Sequence, residues 1–261
     1  MNSKREIKRF QEFLLNSWPA KYYYFLNGWI LRFNDGITSR ANSVFPIRYT
    51  GTQKTLTEDI EMVETAYKVH KLPVLYTMHE FHEPKNLKGE LLSRGYQPVA
   101  QTNALGIRIN EIESTPINNG FEYLLSNSRV DEISDFLSKY SRWNFEDQKI
   151  IQRINQRIII PKKCYMLTKY QNEITGTLLA VLVPQGYVYI GDVLVHPDYR
   201  RKGIATSMFN YLVREWVVHN SVKAIWLQVE ADNLNANKLY TKLGMKKIYS
   251  YYYMEKDNKN S

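Results

Sequence analysis

The residues best suited to chemistry in this 261-residue chain are Arg200, Arg201, Lys202, Gly203, Ile204 and Ala205, three cations followed by a glycine where the structural period changes. Upstream, Tyr187 to Val195 is rich in β-formers and is closed by His196-Pro197. Downstream, Ile204, Met208, Leu212, Val213 and Trp216 recur at helical spacing. A strand that breaks, turns through a basic glycine loop and enters a helix offers free backbone N–H groups and a positive dipole end to an anion. Gly203 lets the backbone approach a phosphate closely, and Ala205 keeps the first turn free of bulk. The chemistry expected is a pyrophosphate cradle running from Arg200 to Thr206. No Lys-Ser/Thr pair follows the loop and no Gly-x-Gly-x-x-Gly is present, which argues against the P-loop and dinucleotide versions of such a cradle. Taken alone, the stretch also reads as a glycine turn with solvated basic residues.

A second element lies about thirty residues further on. Lys223 to Val229 alternates, with Ile225, Leu227 and Val229 on one face, as a half-buried strand does. Ala236, Leu239, Tyr240 and Leu243 then fall at i, i+3, i+4 and i+7, predicting one buried helical stripe, and Gly244 suits the C′ position. In this order, Val-x-Pro with Arg200, Gly203 and Ala205, then Asn233, Ala236, Leu239, Tyr240 and Gly244, the chain resembles the GNAT family of acyl-CoA-dependent N-acetyltransferases. The resemblance covers residues 121 to 256. It implies an α/β fold with a mixed, twisted sheet flanked by helices and split where the pantetheine arm of acetyl-CoA enters.

The resemblance also implies roles. Val193, Leu194 and Val195 would border the thioester, with a backbone N–H near Leu194 to Val195 on its carbonyl. Arg200, Arg201, Lys202, Gly203, Ile204, Ala205 and Thr206 would hold the pyrophosphate, and Asn233 and Asn237 the pantetheine arm. Tyr240 would protonate the departing thiolate and Asp192 would serve as general base in a direct attack within a ternary complex. Each has a plainer reading: Tyr240 as a packed core residue, Asp192 as the cap of a β-bulge after Gly191, Asn233 as a helix N-cap. Trp143 and Phe145, in a polar stretch between two expected helices, would border the amine acceptor or simply pack.

The first 110 residues repeat the plan more weakly. Arg94-Gly95-Tyr96 aligns with Leu243-Gly244-Met245, the strand-like Pro73 to His79 with Lys223 to Val229, and Val44-Phe45-Pro46 with Val195-His196-Pro197. Two tandem GNAT-like domains are expected, residues 1–112 and 113–261, linked by the polar segment Glu113 to Asn119, as in bacterial tandem GNAT proteins. The first is read as degenerate. Leu91 stands where Tyr240 stands in the second, and a helix starting at Thr57 would put Glu58, Asp59 and Glu61 against any phosphate. Gly28 to Phe33 reads as part of a hairpin turning at Asn34-Asp35-Gly36, and Arg32, Arg40 and Asn42 as a polar face available to an acceptor.

Composition sets bounds. A single cysteine, Cys164, excludes a disulfide framework, suits a reducing cytoplasm and reads as a packed thiol. No apolar run approaches a membrane span, and the polar stretch Met1 to Arg9 lacks a signal-peptide core. The formal charge of +9 is dispersed, without a basic aromatic stripe, so an anionic cosubstrate accounts for it better than nucleic acid. Five histidines show no metal spacing. The functional expectation is an N-acetyltransferase for an amine of a small molecule, amino acid or peptide. The alternatives are an acyl-CoA sensor without activity, and a nucleic-acid- or ribosome-binding protein on the same scaffold. Neither the acceptor nor the oligomeric state is read from the sequence.

Overall fold

The first half is built on helix α1 (Lys4–Ser17), hairpin β1 (Tyr22–Leu26) and β2 (Trp29–Phe33), the short β3 (Val44–Phe45), α2 (Gln53–Val69), β4 (Leu75–His79), α3 (Leu87–Ser93) and the long β5 (Tyr96–Arg108). The second half follows with β6 (Glu122–Ser126), α4 (Asp131–Tyr140), α5 (Phe145–Gln156), β7 (Lys163–Tyr170), β8 (Glu173–Val183), β9 (Tyr187–Val195), α6 (Ile204–Leu212), β10 (Ala224–Glu230), α7 (Leu234–Lys242) and β11 (Lys246–Lys256). This computed structural model describes residues 3–113, 115–160 and 162–256. Met1, Asn2, one residue of the expected linker (Ser114), Pro161 and the tail Asp257 to Ser261 lie outside the described residues. Among those described, no helix is long and apolar enough to cross a membrane.

The element order repeats: a hairpin, a strand, a helix, a strand, a helix, a strand. In each half the strand before the first of these helices pairs parallel with the strand after it, Val44 with Tyr76 in the first and Tyr187–Ile190 with Ala224–Leu227 in the second. Two units of the same plan, each with parallel and antiparallel pairs, are therefore present, as the expected tandem arrangement requires. Their boundaries do not follow a single cut in the sequence. One compact unit holds Met1–Asn103 together with Glu230–Asp232 and the segment from Ile248; the other holds Ala104–Val229 and Asn233–Lys247. Each half's last strand thus serves both units. In the first unit Tyr251–Glu255 of β11 lies antiparallel on Leu75–His79 of β4, giving the order β1-β2-β3-β4-β11. In the second, Ala104–Arg108 of β5 adjoins β10, and the order continues β10-β9-β8-β7-β6.

Local sequence explains most of the first unit. Ser3 caps α1 by accepting the Glu6 N–H, and Ile7, Phe10, Phe13 and Leu14 bury one face of a helix that sequence reasoning had passed over as a polar terminus. The hairpin turns at Asn27-Gly28, not at Asn34-Asp35-Gly36. Both turn residues have positive φ, 43° and 88°, as a two-residue turn between twisted strands requires. Helix α2 begins four residues before the expected Thr57: Thr52 and Thr55 form a reciprocal capping box, and no acid stands in the first turn. Asp59 sits in the second turn instead, where it accepts from Asn27 Nδ2 at 2.9 Å and from the Tyr49 hydroxyl at 2.6 Å, fastening the hairpin turn to the helix.

The polar face expected around Arg32 and Asn42 has a core role after all. Arg32 is fully buried, donates to the Trp18 carbonyl and lies over the Phe45 ring at 5.0 Å. Asn42 is also buried; its side chain accepts from the Asn34 N–H at 2.8 Å and donates to the Ile37 and Thr38 carbonyls at 3.0 Å. Asn42 thus pins the loop after β2, while Arg32 ties that strand to the end of α1. Arg40 is half-buried in a short 3-10 turn, with its charge near Tyr253.

The second unit's core gathers Leu105 and Ile107 of β5, Met166, Leu178, Ala180, Val188 and Ile190 of the sheet, and Ile204, Met208 and Leu212 of α6. Cys164 is part of it, and burial pushes its thiol up to about 12, leaving it inert. Because Leu105 and Ile107 belong to this core, a fragment starting at residue 113 lacks part of its own sheet. It also retains Ile248–Lys256 without β4 to pair with. Residues 113–261 expressed alone are expected to be aggregated or partly unfolded by circular dichroism and gel filtration, whereas a fragment that folds with the full chain's unfolding midpoint would show that β5 and β11 are dispensable to this unit.

Candidate functional site

A cleft of about 700 Å³ opens in the second unit, lined by β9, by the loop and first turn of α6, and by α7. It exists because two neighbouring strands part. The parallel ladder between β9 and β10 ends at Ile190 and Leu227, while β9 continues to Val195. At the parting, β9 carries a bulge: Thr177 faces Leu194 and Leu179 faces Gly191, so Leu178 of β8 stands against two residues, Asp192 and Val193. Asp192 has a φ of 49°, the left-handed region that a side chain enters only at a cost. Beyond the bulge the ladder with β8 resumes, and the His196 N–H donates to the Thr175 carbonyl at 2.9 Å. Alternation along an antiparallel pair then turns the N–H and carbonyl of Val195 away from β8 and toward the opened side. The carbonyl there accepts from Arg200 Nε at 3.1 Å.

Helix α6 supplies the anion end. Its N-cap is Gly203, with φ 78°; no side chain caps the first turn and no acid lies in it. The N–H groups of this turn and the positive end of the helix therefore face the cleft unopposed, with Arg200 and Arg201 in its wall. A Cβ at Gly203 would meet nothing within 4 Å, so the glycine is needed for its backbone conformation and for open approach from outside rather than to avoid a clash. Across the cleft, the α7 stripe is not the closed core that its spacing predicts. None of its residues is fully buried; Ala236, Leu239 and Tyr240 are half-buried and line the cavity. Burial nevertheless raises the Tyr240 phenol well above its ordinary range, with the nearby Tyr189 adding to it, so the hydroxyl stays protonated at neutral pH.

Of the residues assigned to a cofactor from sequence, Val193, Leu194, Val195, Arg200, Arg201, Gly203, Ile204, Ala205, Thr206 and Asn233 line the cleft. Asn233 is also the N-cap of α7, its Oδ1 accepting from the Ala236 N–H at 3.1 Å. Lys202 and Asn237 do not line it: Lys202 Nζ lies 5.0 Å over the Tyr199 ring, and Asn237 Nδ2 donates to the Asn233 carbonyl at 2.8 Å. Tyr199 and Asn235 line it without having been singled out; Tyr199 follows the break at Pro197, where no periodic pattern marks it. Trp143 and Phe145 stand at the turn into α5, where Asn144 and Asp147 form a capping box; Arg142 lies over the Trp143 ring and Lys149 over that of Phe145. Asp192 points to the opposite side from the cavity lining, its carboxylate 3.5 Å from Arg129, a residue that sequence reasoning did not single out. Among the described residues no group of three or more His, Cys, Asp or Glu side chains could hold a metal.

Comparison with known proteins agrees with this geometry. Residues 130–245 match the model of the acetyltransferase (GNAT) family, and residues 5–84 match the family described as "Probable histone acetyltransferase Rv0428c C-terminal". The chain is 28% identical over 251 residues to the uncharacterized N-acetyltransferase YobR of Bacillus subtilis (strain 168), covering 95% of this chain and 98% of that protein. In fold it is similar to a GCN5-related N-acetyltransferase from Kribbella flavida (TM-score 0.73, 11% identity, 96% and 95% of the two chains). It is likewise similar to a tandem GNAT protein from the clavulanic acid biosynthesis pathway (TM-score 0.63, 11% identity, 84% and 76%). Residues 130–245 thus carry a GNAT acetyltransferase domain, and the chain as a whole shares the fold of tandem GNAT proteins.

If the α6 turn is the anion cradle, Gly203→Glu is expected to weaken CoA binding at least tenfold by calorimetry. Gly203→Ala separates strain from charge, since it carries only the left-handed penalty of about 1–2 kcal/mol. Equal losses in the two variants would remove the electrostatic argument.

Proposed function

We propose that the protein transfers the acetyl group of acetyl-CoA to an amine, using the second unit alone for the cosubstrate. The observation that carries this reading is the pairing of two features in one cleft: an uncapped, acid-free helix N-terminus beside Arg200 and Arg201, and a protonated tyrosine on the facing helix. The first suits a pyrophosphate, the second a departing thiolate. The strand edge between them offers the Val195 N–H to an amide of an extended arm such as pantetheine. The name of its relative YobR, an N-acetyltransferase, supports nitrogen as the acceptor atom.

Acetyl-CoA supplies an activated thioester carbonyl. The residues divide the remaining work. Val193 to Val195 border the carbonyl, and an N–H from that edge would stabilise the charge that develops on its oxygen. The acceptor nitrogen forms a C–N bond with the carbonyl carbon as the C–S bond breaks; Tyr240 gives its phenolic proton to the sulfur, and the proton leaving nitrogen is relayed to Asp192 on the far side of the bulged strand, where the acceptor would enter. Exchange with solvent restores both groups. Trp143 and Phe145 flank the acceptor side. The first unit lacks the matching features: Leu91 is fully buried where a tyrosine would be needed, and Thr52 and Thr55 occupy the donors at the start of α2 with their own side chains. One acetyl-CoA per chain is therefore expected by calorimetry.

The reading is tested by following free thiol release from acetyl-CoA over a panel of amines, amino acids and peptides. With an acceptor in hand, Tyr240→Phe should lower kcat by roughly 10²-fold with little change in acetyl-CoA affinity, since the proton matters mainly in the transition state. Activity within about twofold of wild type would return Tyr240 to a packing role, and binding without thiol release for any acceptor would favour a sensor.

A further inference from the structure

We propose that Arg129 is a positioning residue for the acceptor side of the reaction: its buried guanidinium holds the Asp192 carboxylate at the β9 bulge and ties it to the loop that carries Trp143. The proposal rests on the acetyl-transfer reading above and assigns a role that the GNAT motifs of the sequence do not contain.

The guanidinium makes two hydrogen bonds, while Nη1 stands at ion-pair distance from Asp192 without a hydrogen-bond partner of its own. Nη1 lies 3.5 Å from Asp192 Oδ2, Nε donates to Ser134 Oγ of α4 at 3.1 Å, and Nη2 donates to Gln148 Oε1 of α5 at 2.6 Å. Its side chain is 3% exposed, and Gln148 is equally buried. Gln148 in turn donates from Nε2 to Ser141 Oγ at 3.3 Å, and that oxygen accepts from the Trp143 N–H at 3.1 Å. A continuous path of side chains thus runs from the bulged strand beside the cleft to the turn between α4 and α5.

Three physical points give the path a purpose. Burying a cation is costly unless a partner offsets the lost hydration, and Asp192 is the carboxylate within ion-pair distance of Arg129. The planar fork of arginine reaches Asp192, Ser134 and Gln148 together, which a lysine ammonium on its flexible stem does not. Asp192 itself sits in left-handed backbone, a conformation that persists only where the surroundings over-determine it. Among the charged and titratable groups near its carboxylate are Arg129, from the segment before α4, and Tyr165 of β7, whose phenol burial pushes up to about 12 with the Asp192 charge adding to it. Tyr165 is therefore neutral, and Arg129 alone of the two supplies charge that favours the ionised carboxylate.

The test uses the full chain with the acceptor found by thiol release. Arg129→Gln, Arg129→Lys and Asp192→Asn are compared by kcat/KM against pH, and the Asp192 carboxyl is titrated by carbon-13 NMR in the wild type and the two Arg129 variants. Removing the cation should raise the Asp192 titration and move the acidic limb of kcat/KM to higher pH by about one unit. Arg129→Gln should also raise the acceptor KM at least fivefold while the acetyl-CoA KM stays within twofold. Arg129→Lys keeps the charge but loses the fork, so the limb should stay in place while the acceptor KM still rises. An Asp192 titration unmoved by Arg129→Gln overturns the proposal, whatever Asp192 does in catalysis. If Asp192→Asn keeps the wild-type profile, the base assignment fails instead, and with it any catalytic meaning for the pair. Should Arg129→Gln not fold, Arg129→Lys carries the test, and an unchanged acceptor KM in that variant overturns the positioning role.

Discussion

The separation of β9 from β10 beyond Ile190 is the constraint on which the site depends. A parallel ladder normally continues for the length of both strands, because each unpaired N–H or carbonyl in a protein interior forgoes a hydrogen bond. Here it stops after four pairs, and a bulge at Asp192 and Val193 turns the chain as it stops. The opened edge, the uncapped start of α6 and the half-buried stripe of α7 then surround one cavity. Had the ladder run on to Val195, the strand edge would be occupied and the tyrosine on α7 would be an ordinary core residue.

The two units differ in a few side chains at corresponding helix starts. In the first, the helix after the break is capped by Thr52 and Thr55 and the following helix presents Leu91 to a sealed core. In the second, Gly203 caps without a side chain and Tyr240 faces open space. The plan of strands and helices is the same. A few side chains decide whether the backbone donors of a helix are satisfied internally or left for an anion. Asn42 illustrates the converse: a polar residue whose pattern invites a functional reading can be buried and engaged in fastening a loop.

Bulge geometry also explains why Asp192 and the cavity lining are distinct. Val193 to Val195 line the cleft, whereas Asp192, one residue earlier and in left-handed backbone, pairs with Arg129. A regular strand would alternate these side chains between two faces; the bulge resets the alternation and aims a carboxylate at the helices α4 and α5. Two chemical environments thereby adjoin on consecutive residues of one strand.

What the sequence determined by itself was local. The basic glycine loop, the Val-x-Pro break, the alternating strand at Ile225 to Val229 and the Asn-to-Gly244 helix are set by short-range sterics, periodicity and capping, so they were legible without a fold. The family followed from the order of those elements, and the weak internal repeat disclosed the tandem plan. The Asn27-Gly28 turn and the α1 stripe of Ile7, Phe10, Phe13 and Leu14 are equally local, although Asn34-Asp35-Gly36 and the charged residues of the first turn carry competing signals. Only tertiary structure decided the rest. That β11 pairs with β4, and that Leu105 and Ile107 belong to the second core, depends on which distant strands find each other, and period-2 patterning is silent on partners. The same limit applies to the α7 stripe, where i, i+3, i+4 spacing marks an apolar face but not whether a core or a cavity lies opposite. Arg129 was invisible for the strongest reason of all: its meaning comes from Asp192, Ser134 and Gln148, residues that three-dimensional packing alone gathers around one guanidinium.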